Sequence, residues 1–276
     1  MRESDWRAAL FHARYERRFN RALQPAAVSH WAQSLLKDMP PAPPYFRRMK
    51  EVNARGPAVV GPQLPGLKPV PASDLRGRLC DDDVVIVDTR PKEAFAAAHI
   101  PRSLNIPLGP NLASWAGWML PYDRPLVIVT AAPADVAQVV TQLLRVGYDQ
   151  IDGHLEDGID GWQTMGFPLA RIETISVDEL DARLKQGALR RPFVLDVRTD
   201  GEWDGGHIDG ARHIHAGVLR DHLTEVPKER PVAVVCGSGY RGSVAASLLK
   251  HAGYENVTNV LGGMTAWAAA GMPTVA

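Results

Sequence analysis

Cysteine is nearly absent from this chain. Cys80 and Cys236 are the only two in 276 residues, too few for a disulfide framework. No stretch approaches the ~18 consecutive apolar residues that a membrane-spanning helix needs. The N-terminal MRESDWRAALFHARYERRFN has no apolar core of the kind a secretory signal carries. Net charge is missing too: 31 Lys and Arg balance 31 Asp and Glu. That balance argues against a protein built to hold nucleic acid or an anionic membrane. A soluble, cytoplasmic chain is expected. With 45% apolar and 22% charged residues in 276 positions, the composition is that of an ordinary globular protein of about two domains.

Proline, by contrast, is concentrated. Nine of 22 prolines fall between Pro40 and Pro71, a density that excludes a regular helix and predicts extended, surface-running chain. A linker is placed there. Before it, Ser29 is positioned to cap a short helix carrying Trp31, Leu35, Leu36 and Met39 on one face. The first 25 residues hold six arginines against three acids, read as a solvated helix face, with a binding arm as the alternative.

After the linker the sequence repeats itself. VVIVDTR (84–90) matches FVLDVR (193–198), and AHIPRSLNIP (98–107) matches GHIDGARHIH (206–215). PLVIVT (125–130) matches PVAVVC (231–236), LLRVGY (143–148) matches LLKHAGY (248–254), and GIDGWQTMGFP (158–168) matches GMTAWAAAGMP (263–273). The offsets are 108 positions for Asp88 and Asp196, 106 for Gly147 and Gly253, and 105 for Trp162 and Trp267. Near-constant spacing over these blocks indicates tandem duplication of domain-sized units. The expected boundaries are residues 1–71 for a helical and Pro-rich extension, 72–170 for the first repeat and 171–276 for the second. Within each repeat, short β-branched runs such as Val84–Val87, Leu126–Val129 and Val232–Val235 are apolar at every position, as in parallel strands buried on both faces. Ser176 with Glu179, and Thr199 with Glu202, have the spacing of capping boxes. Strands alternating with helices predict an open α/β fold in each repeat.

The sharpest chemical signal is PVAVVCGSGYRGSVAASLLKHAGY (231–254). A buried strand ends at Cys236, the loop Gly237-Ser238-Gly239-Tyr240-Arg241 follows, and a helix runs on through Ala245, Leu248 and Leu249. Loops at the carboxyl ends of strands are where open α/β sheets bind ligands. Gly237 and Gly239 can adopt positive φ, letting the loop curl and aim its N–H groups inward. These groups and the helix dipole favour the thiolate form of a cysteine held among them. Arg241 adds a planar, permanently charged fork suited to oxyanions. The predicted catalytic residues are Cys236 and Arg241, with Gly237, Ser238, Gly239, Tyr240 and Arg241 binding substrate.

Three other readings compete. GSGYRG matches G-x-G-x-x-G, but the next strand candidate (256–261) ends in Leu261-Gly262 rather than the acidic residue of a dinucleotide site. A cysteine-phosphatase loop is Cys-x5-Arg, whereas arginine here comes one position earlier. An inert buried cysteine has little need of two glycines and an arginine beside it.

Taken together, Asp196-Val197-Arg198, Glu202, Gly206-His207-Ile208, Cys236 through Arg241, and Gly262-Gly263 with Trp267 resemble the rhodanese family of sulfurtransferases, over residues 72 to 276. The resemblance implies, for each repeat, a mostly parallel five-stranded sheet flanked by helices. It also implies a ping-pong cycle in which Cys236 takes a sulfane sulfur from thiosulfate or a low-molecular-weight persulfide such as glutathione persulfide. The resulting persulfide passes its sulfur to a thiol or cyanide. Asp196 and Arg198 are expected to brace the Cys236 loop, although their counterparts Asp88 and Arg90 point to a mainly structural job. His207 is matched by His99 and reads as structural. His213 and His215 form His-x-His with no further ligand at metal spacing, so neither metal nor cofactor is assigned.

The first repeat departs from the pattern at the decisive place. Counting back from Gly147 puts Thr130 where the second repeat has Cys236, and Asp135 where it has Arg241. Pro133 removes an N–H donor. A packing and docking role is expected for this repeat, and Cys80, aligned with Ala188, is read as a bystander thiol. The segments YERRFNRALQ (15–24) and MPPAPPYFRRMKEVNARGP (39–57) also resemble the stretch joining domains in fusions of a metallo-β-lactamase-fold persulfide dioxygenase to rhodanese repeats. No His-x-His-x-Asp-His string is present, so that metal chemistry does not carry over. The resemblance implies a separate persulfide dioxygenase as partner. The alternative to an enzyme is a non-catalytic adaptor binding small anions or a partner's tail.

Overall fold

A computed structural model describes residues 13–20, 23–24, 27–36, 42–57, 59–80, 83–187 and 191–276. The chain divides into two compact units, Met1–Ala42 and Pro43–Ala276. In the first unit, residues 13–19 are helical and a second helix covers Val28–Leu36. Ser29 therefore lies inside this helix rather than capping it, and Met39 lies outside the described residues. So do Arg2, Arg7 and Arg21 of the N-terminal basic cluster.

The second unit holds two five-stranded sheets. Strands β1 (Pro69–Val70), β2 (Val85–Asp88), β3 (Leu104–Asn105), β4 (Leu126–Val129) and β5 (Ile151–Leu155) form one, in the order β1-β5-β4-β2-β3. Strands β6 (Glu173–Ile175), β7 (Phe193–Asp196), β8 (Arg212–His213), β9 (Val232–Val235) and β10 (Val257–Val260) form the other, in the equivalent order β6-β10-β9-β7-β8. All pairings are parallel. The central strands β2, β4 and β9 are buried at every residue, which is why their sequences read as unbroken apolar runs. Of the two expected capping boxes, that of Thr199 and Glu202 forms; at Ser176 only half forms, with Glu179 N donating to Ser176 Oγ at 3.1 Å while the Glu179 carboxylate pairs with Arg183 at 2.6 Å.

The order of the second sheet places the site. From β7 the chain crosses outward to β8, and from β9 it crosses the other way to β10. The carboxyl ends of β7 and β9 thus flank the point where connections diverge, the usual ligand position in an open α/β sheet. Cys236 follows β9 directly.

The proline-rich stretch is not wholly extended. A helix spans Pro44–Arg55, because Pro44 occupies its first turn, where a missing N–H costs nothing. The next proline is Pro57, past the end. This helix packs on the first repeat: Tyr45 lies against Gly117 and Met49 against Gly147. The Arg48 guanidinium sits 4.5 Å from the Tyr122 ring centroid.

The repeats share one apolar core running through both sheets. At its centre is the helix Tyr240–His251, buried from Gly242 to Leu249 and packed on β3 of the first repeat. Asn105 joins them: its backbone N–H donates to Ser247 Oγ at 3.0 Å and its Oδ1 accepts from Ser243 Oγ at 3.0 Å.

Candidate active site

Cys236 is 1% exposed, and its Sγ accepts a hydrogen bond from Gly239 N at 3.0 Å. That contact depends on Gly239 taking φ of +97°, a conformation costly for any residue with a Cβ. Gly237 plays a different part from the one expected. It stays out of the positive-φ set, and its contribution is space: a Cβ there would lie 2.9 Å from an Arg241 guanidinium nitrogen. Gly242 is equally constrained, since a Cβ would collide with Asn259 Oδ1 and lie 3.6 Å from Sγ. The floor of the loop is fastened by the helix Gly263–Ala269, whose Met264 N donates to Cys236 O at 2.7 Å and whose Thr265 N donates to Gly237 O at 3.0 Å.

Arg241 was expected to turn its fork toward an anionic donor. The fork instead grips Glu202, with Nη1 to Oε2 and Nη2 to Oε1 both at 2.6 Å. Glu202 also accepts from Thr199 N at 3.1 Å and Thr199 Oγ1 at 2.8 Å. Hydrogen bonding from Arg241 pulls the Glu202 carboxyl down to about 2, and the same contact raises Arg241 further. The donor seen on Sγ is thus the Gly239 N–H, while Arg241, whose charge also interacts with Cys236, is tied through Glu202 to the start of the helix Asp200–Asp204. The sequence showed Glu202 as a helix cap; its second partner was not legible from spacing.

Asp196 and Arg198 form a buried ion pair at 2.7 Å, and Arg198 Nη2 reaches Gly206 O at 2.8 Å. Asp88 and Arg90 do the same in the first repeat, pairing at 2.6 Å with Arg90 Nη2 on Ala98 O at 2.8 Å. Both pairs close the turn after their own strand. The contact that reaches the Cys236 loop from this region comes from Glu202. His207 stacks on Trp203 at 3.4 Å between centroids, as His99 stacks on Phe95 at 3.9 Å. Burial holds His99 down at about 4, and therefore neutral. His213 bonds Arg198 O at 2.8 Å. His215 accepts from Gly217 N at 3.3 Å, and burial, then the Arg241 charge, lowers its pKa. Among the described residues no group of three or more His, Cys, Asp or Glu could hold a metal ion, and no helix is long and apolar enough to cross a membrane.

In the first repeat the corresponding loop is closed on itself. Asp135 Oδ2 accepts from Ala132 N at 3.2 Å within a 3-10 turn, Pro133–Asp135. A carboxylate thus takes up an N–H of the loop that lacks a cysteine. The Cys80 side chain lies outside the described residues.

Fold and site together define a duplicated α/β protein whose second copy carries a cysteine cradle at the sheet's switch point. The rhodanese-like domain model matches residues 71–165 and 176–270, so the chain belongs to the rhodanese-like family and carries the domain twice. It is 37% identical over 84 residues to a sulfurtransferase of Allochromatium vinosum, covering 30% of this chain and 78% of that one. It is 34% identical over 131 residues to the probable adenylyltransferase/sulfurtransferase MoeZ of Mycobacterium tuberculosis, covering 47% of this chain; it spans only 31% of that relative's length. A crystal structure of a metallo-beta-lactamase from Staphylococcus aureus is 26% identical, covering 51% of this chain and 38% of that chain with a TM-score of 0.41.

Proposed function

We propose that the protein is a sulfurtransferase with a single working cysteine, Cys236. The observation that carries this reading is the Gly239 N–H held 3.0 Å from Sγ, in a loop at the end of β9 and at the start of a 12-residue helix. An N–H at that place stabilises the thiolate form of Sγ, the attacking nucleophile. The Cys236 thiolate attacks the sulfane sulfur of the donor. As the new S–S bond forms, the donor's S–S bond breaks and its electron pair leaves with sulfite, from thiosulfate, or with a thiolate, from a low-molecular-weight persulfide. An acceptor thiolate or cyanide then attacks the outer sulfur of the Cys236 persulfide and releases the thiolate for another cycle. No oxidant or reductant is consumed.

The first repeat, with Thr130 and Asp135 in place of the nucleophile and the arginine, does not load sulfur. A separate persulfide dioxygenase fits as a partner, and the cytoplasm as the compartment. The test is mass spectrometry after treatment with thiosulfate or glutathione persulfide, followed by sulfur transfer to cyanide. One added sulfur on Cys236, lost together with turnover in Cys236→Ser, supports the reading. Equal turnover in wild type and Cys236→Ser removes it and leaves the anion-binding adaptor.

A further inference from the structure

The Cys236 loop abuts the first repeat across an open cleft of about 600 Å³, within the size range of small-molecule sites, about 300–1,000 Å³. One wall is the working loop, through Ser238 and Tyr240; the other belongs to the first repeat and includes Lys92, Asn111, Ala131 and Asp135. Ala131 and Asp135 come from the loop that has lost its cysteine. Lys92 lies over the working loop itself, its Cε 3.7 Å from where a Cβ on Gly239 would stand. Gly239 is the residue whose N–H holds Cys236 Sγ.

We propose that this cleft binds the carrier portion of a small amino-acid thiol, the group that brings or removes the sulfur. Lys92 takes its carboxylate and Asp135 its ammonium. The inference rests on the sulfurtransferase reading and deepens it: the degenerate first repeat selects the carrier while the second performs the chemistry. Arg241 is already committed to Glu202 at 2.6 Å, so carrier charge is read from across the cleft. Lys92 is available for exchange. Its partner is Glu93, also on the cleft wall, whose side chain is 65% exposed; such a solvent-screened pair is worth little and gives way to a ligand carboxylate. Asp135 spends one oxygen on Ala132 N at 3.2 Å and keeps acceptor capacity on the other. Tyr240, pushed up to about 12 by burial, stays neutral at the cleft's edge and adds no competing charge. Lys92, Glu93 and Asp135 leave the lining with one excess negative charge, which a zwitterion tolerates better than thiosulfate, a dianion, does.

The test uses the full-length chain and three persulfides as sulfur donors: those of cysteine (carboxylate and ammonium), 3-mercaptopropionate (carboxylate alone) and 2-mercaptoethanol (neutral). The readout is kcat/KM for loading Cys236. Lys92→Ala should lower the mercaptopropionate-to-mercaptoethanol ratio about tenfold, the loss of one charge-assisted contact. Asp135→Asn, which keeps the acceptor for Ala132 N, should lower the cysteine-to-mercaptopropionate ratio by a similar factor. Either ratio holding at its wild-type value, with wild type loading sulfur normally, overturns the cleft assignment alone. Failure of wild type to load Cys236 from any donor overturns the sulfurtransferase reading and this inference with it.

Discussion

Arg241 holds Glu202 through two contacts of 2.6 Å, and the pair ties the cysteine loop to the helix Asp200–Asp204. The geometry is bidentate, and Arg241 is 19% exposed against 38% for Glu202. Such a pair restrains the loop more than it draws in a donor. A double-mutant cycle on Arg241→Ala and Glu202→Ala, followed by urea denaturation, should give a coupling of about 1–3 kcal/mol. Additive effects of the two substitutions would show that the loop does not depend on the pair.

The same pair makes an acid-dependent contribution to stability. The Glu202 carboxyl sits near 2, below its ordinary 4.5, chiefly because Arg241 donates to it. A depressed folded-state value stabilises the fold fully above about 4.5, and that contribution drains away as pH falls toward about 2. The stability difference between wild type and Glu202→Gln should therefore be flat from neutral pH to about pH 5 and shrink below it. A difference that persists undiminished to pH 3 would contradict the assignment.

Much of this was legible from residues alone because it obeys short-range rules. Unbroken apolar runs at β2, β4 and β9 meant burial on both faces, and the duplication meant two copies of one sheet. Cys236 was marked by its position between a buried strand and a glycine-containing helix start. What escaped was decided at long range or by one residue's placement. Glu202 reads as a cap until the loop 39 residues later folds onto it. Lys92 belongs to the other repeat, and no spacing connects it with Gly239. The helix Pro44–Arg55 was hidden by proline density, although its only proline is in the first turn. Its docking on Gly117 and Gly147 is tertiary contact, which local propensity does not report.

Gly263 offers a test of how tightly the loop is seated. It has φ of +51°, and a Cβ on it would collide with the Cys236 carbonyl. That carbonyl accepts from Met264 N at 2.7 Å. Gly263→Ala should push the Cys236 backbone away from its support, lowering kcat for sulfur loading by at least about tenfold. Fold stability should fall by about 1–3 kcal/mol, the cost of a strained backbone position. Gly271→Ala is the matched control, also at positive φ (+67°) but with open space around it. It should lose stability while keeping its rate. Equal rate losses in the two variants would mean that loop position is not what Gly263 protects.

The contact between repeats makes the last case, because it decides whether the molecule folds as one body or two. β3 is an edge strand of the first sheet, and an edge N–H left without a partner in a buried place is costly. Here Asn105 N donates to Ser247 Oγ at 3.0 Å, while Ser247 itself donates to Val244 O at 2.7 Å. The hydroxyl thus serves both strand and helix. Ser247→Ala removes the acceptor and leaves the Asn105 N–H stranded where both residues are 0% exposed, an expected loss of about 1–3 kcal/mol. Since the strand belongs to one repeat and the hydroxyl to the other, and their apolar core is shared, that loss should appear as a shift of one cooperative transition. Differential scanning calorimetry, with calorimetric and van't Hoff enthalpies compared, reads this directly. Two separated transitions, with only the second repeat's moved by Ser247→Ala, would mean that the repeats fold independently and that the first does not set the position of the helix following Cys236.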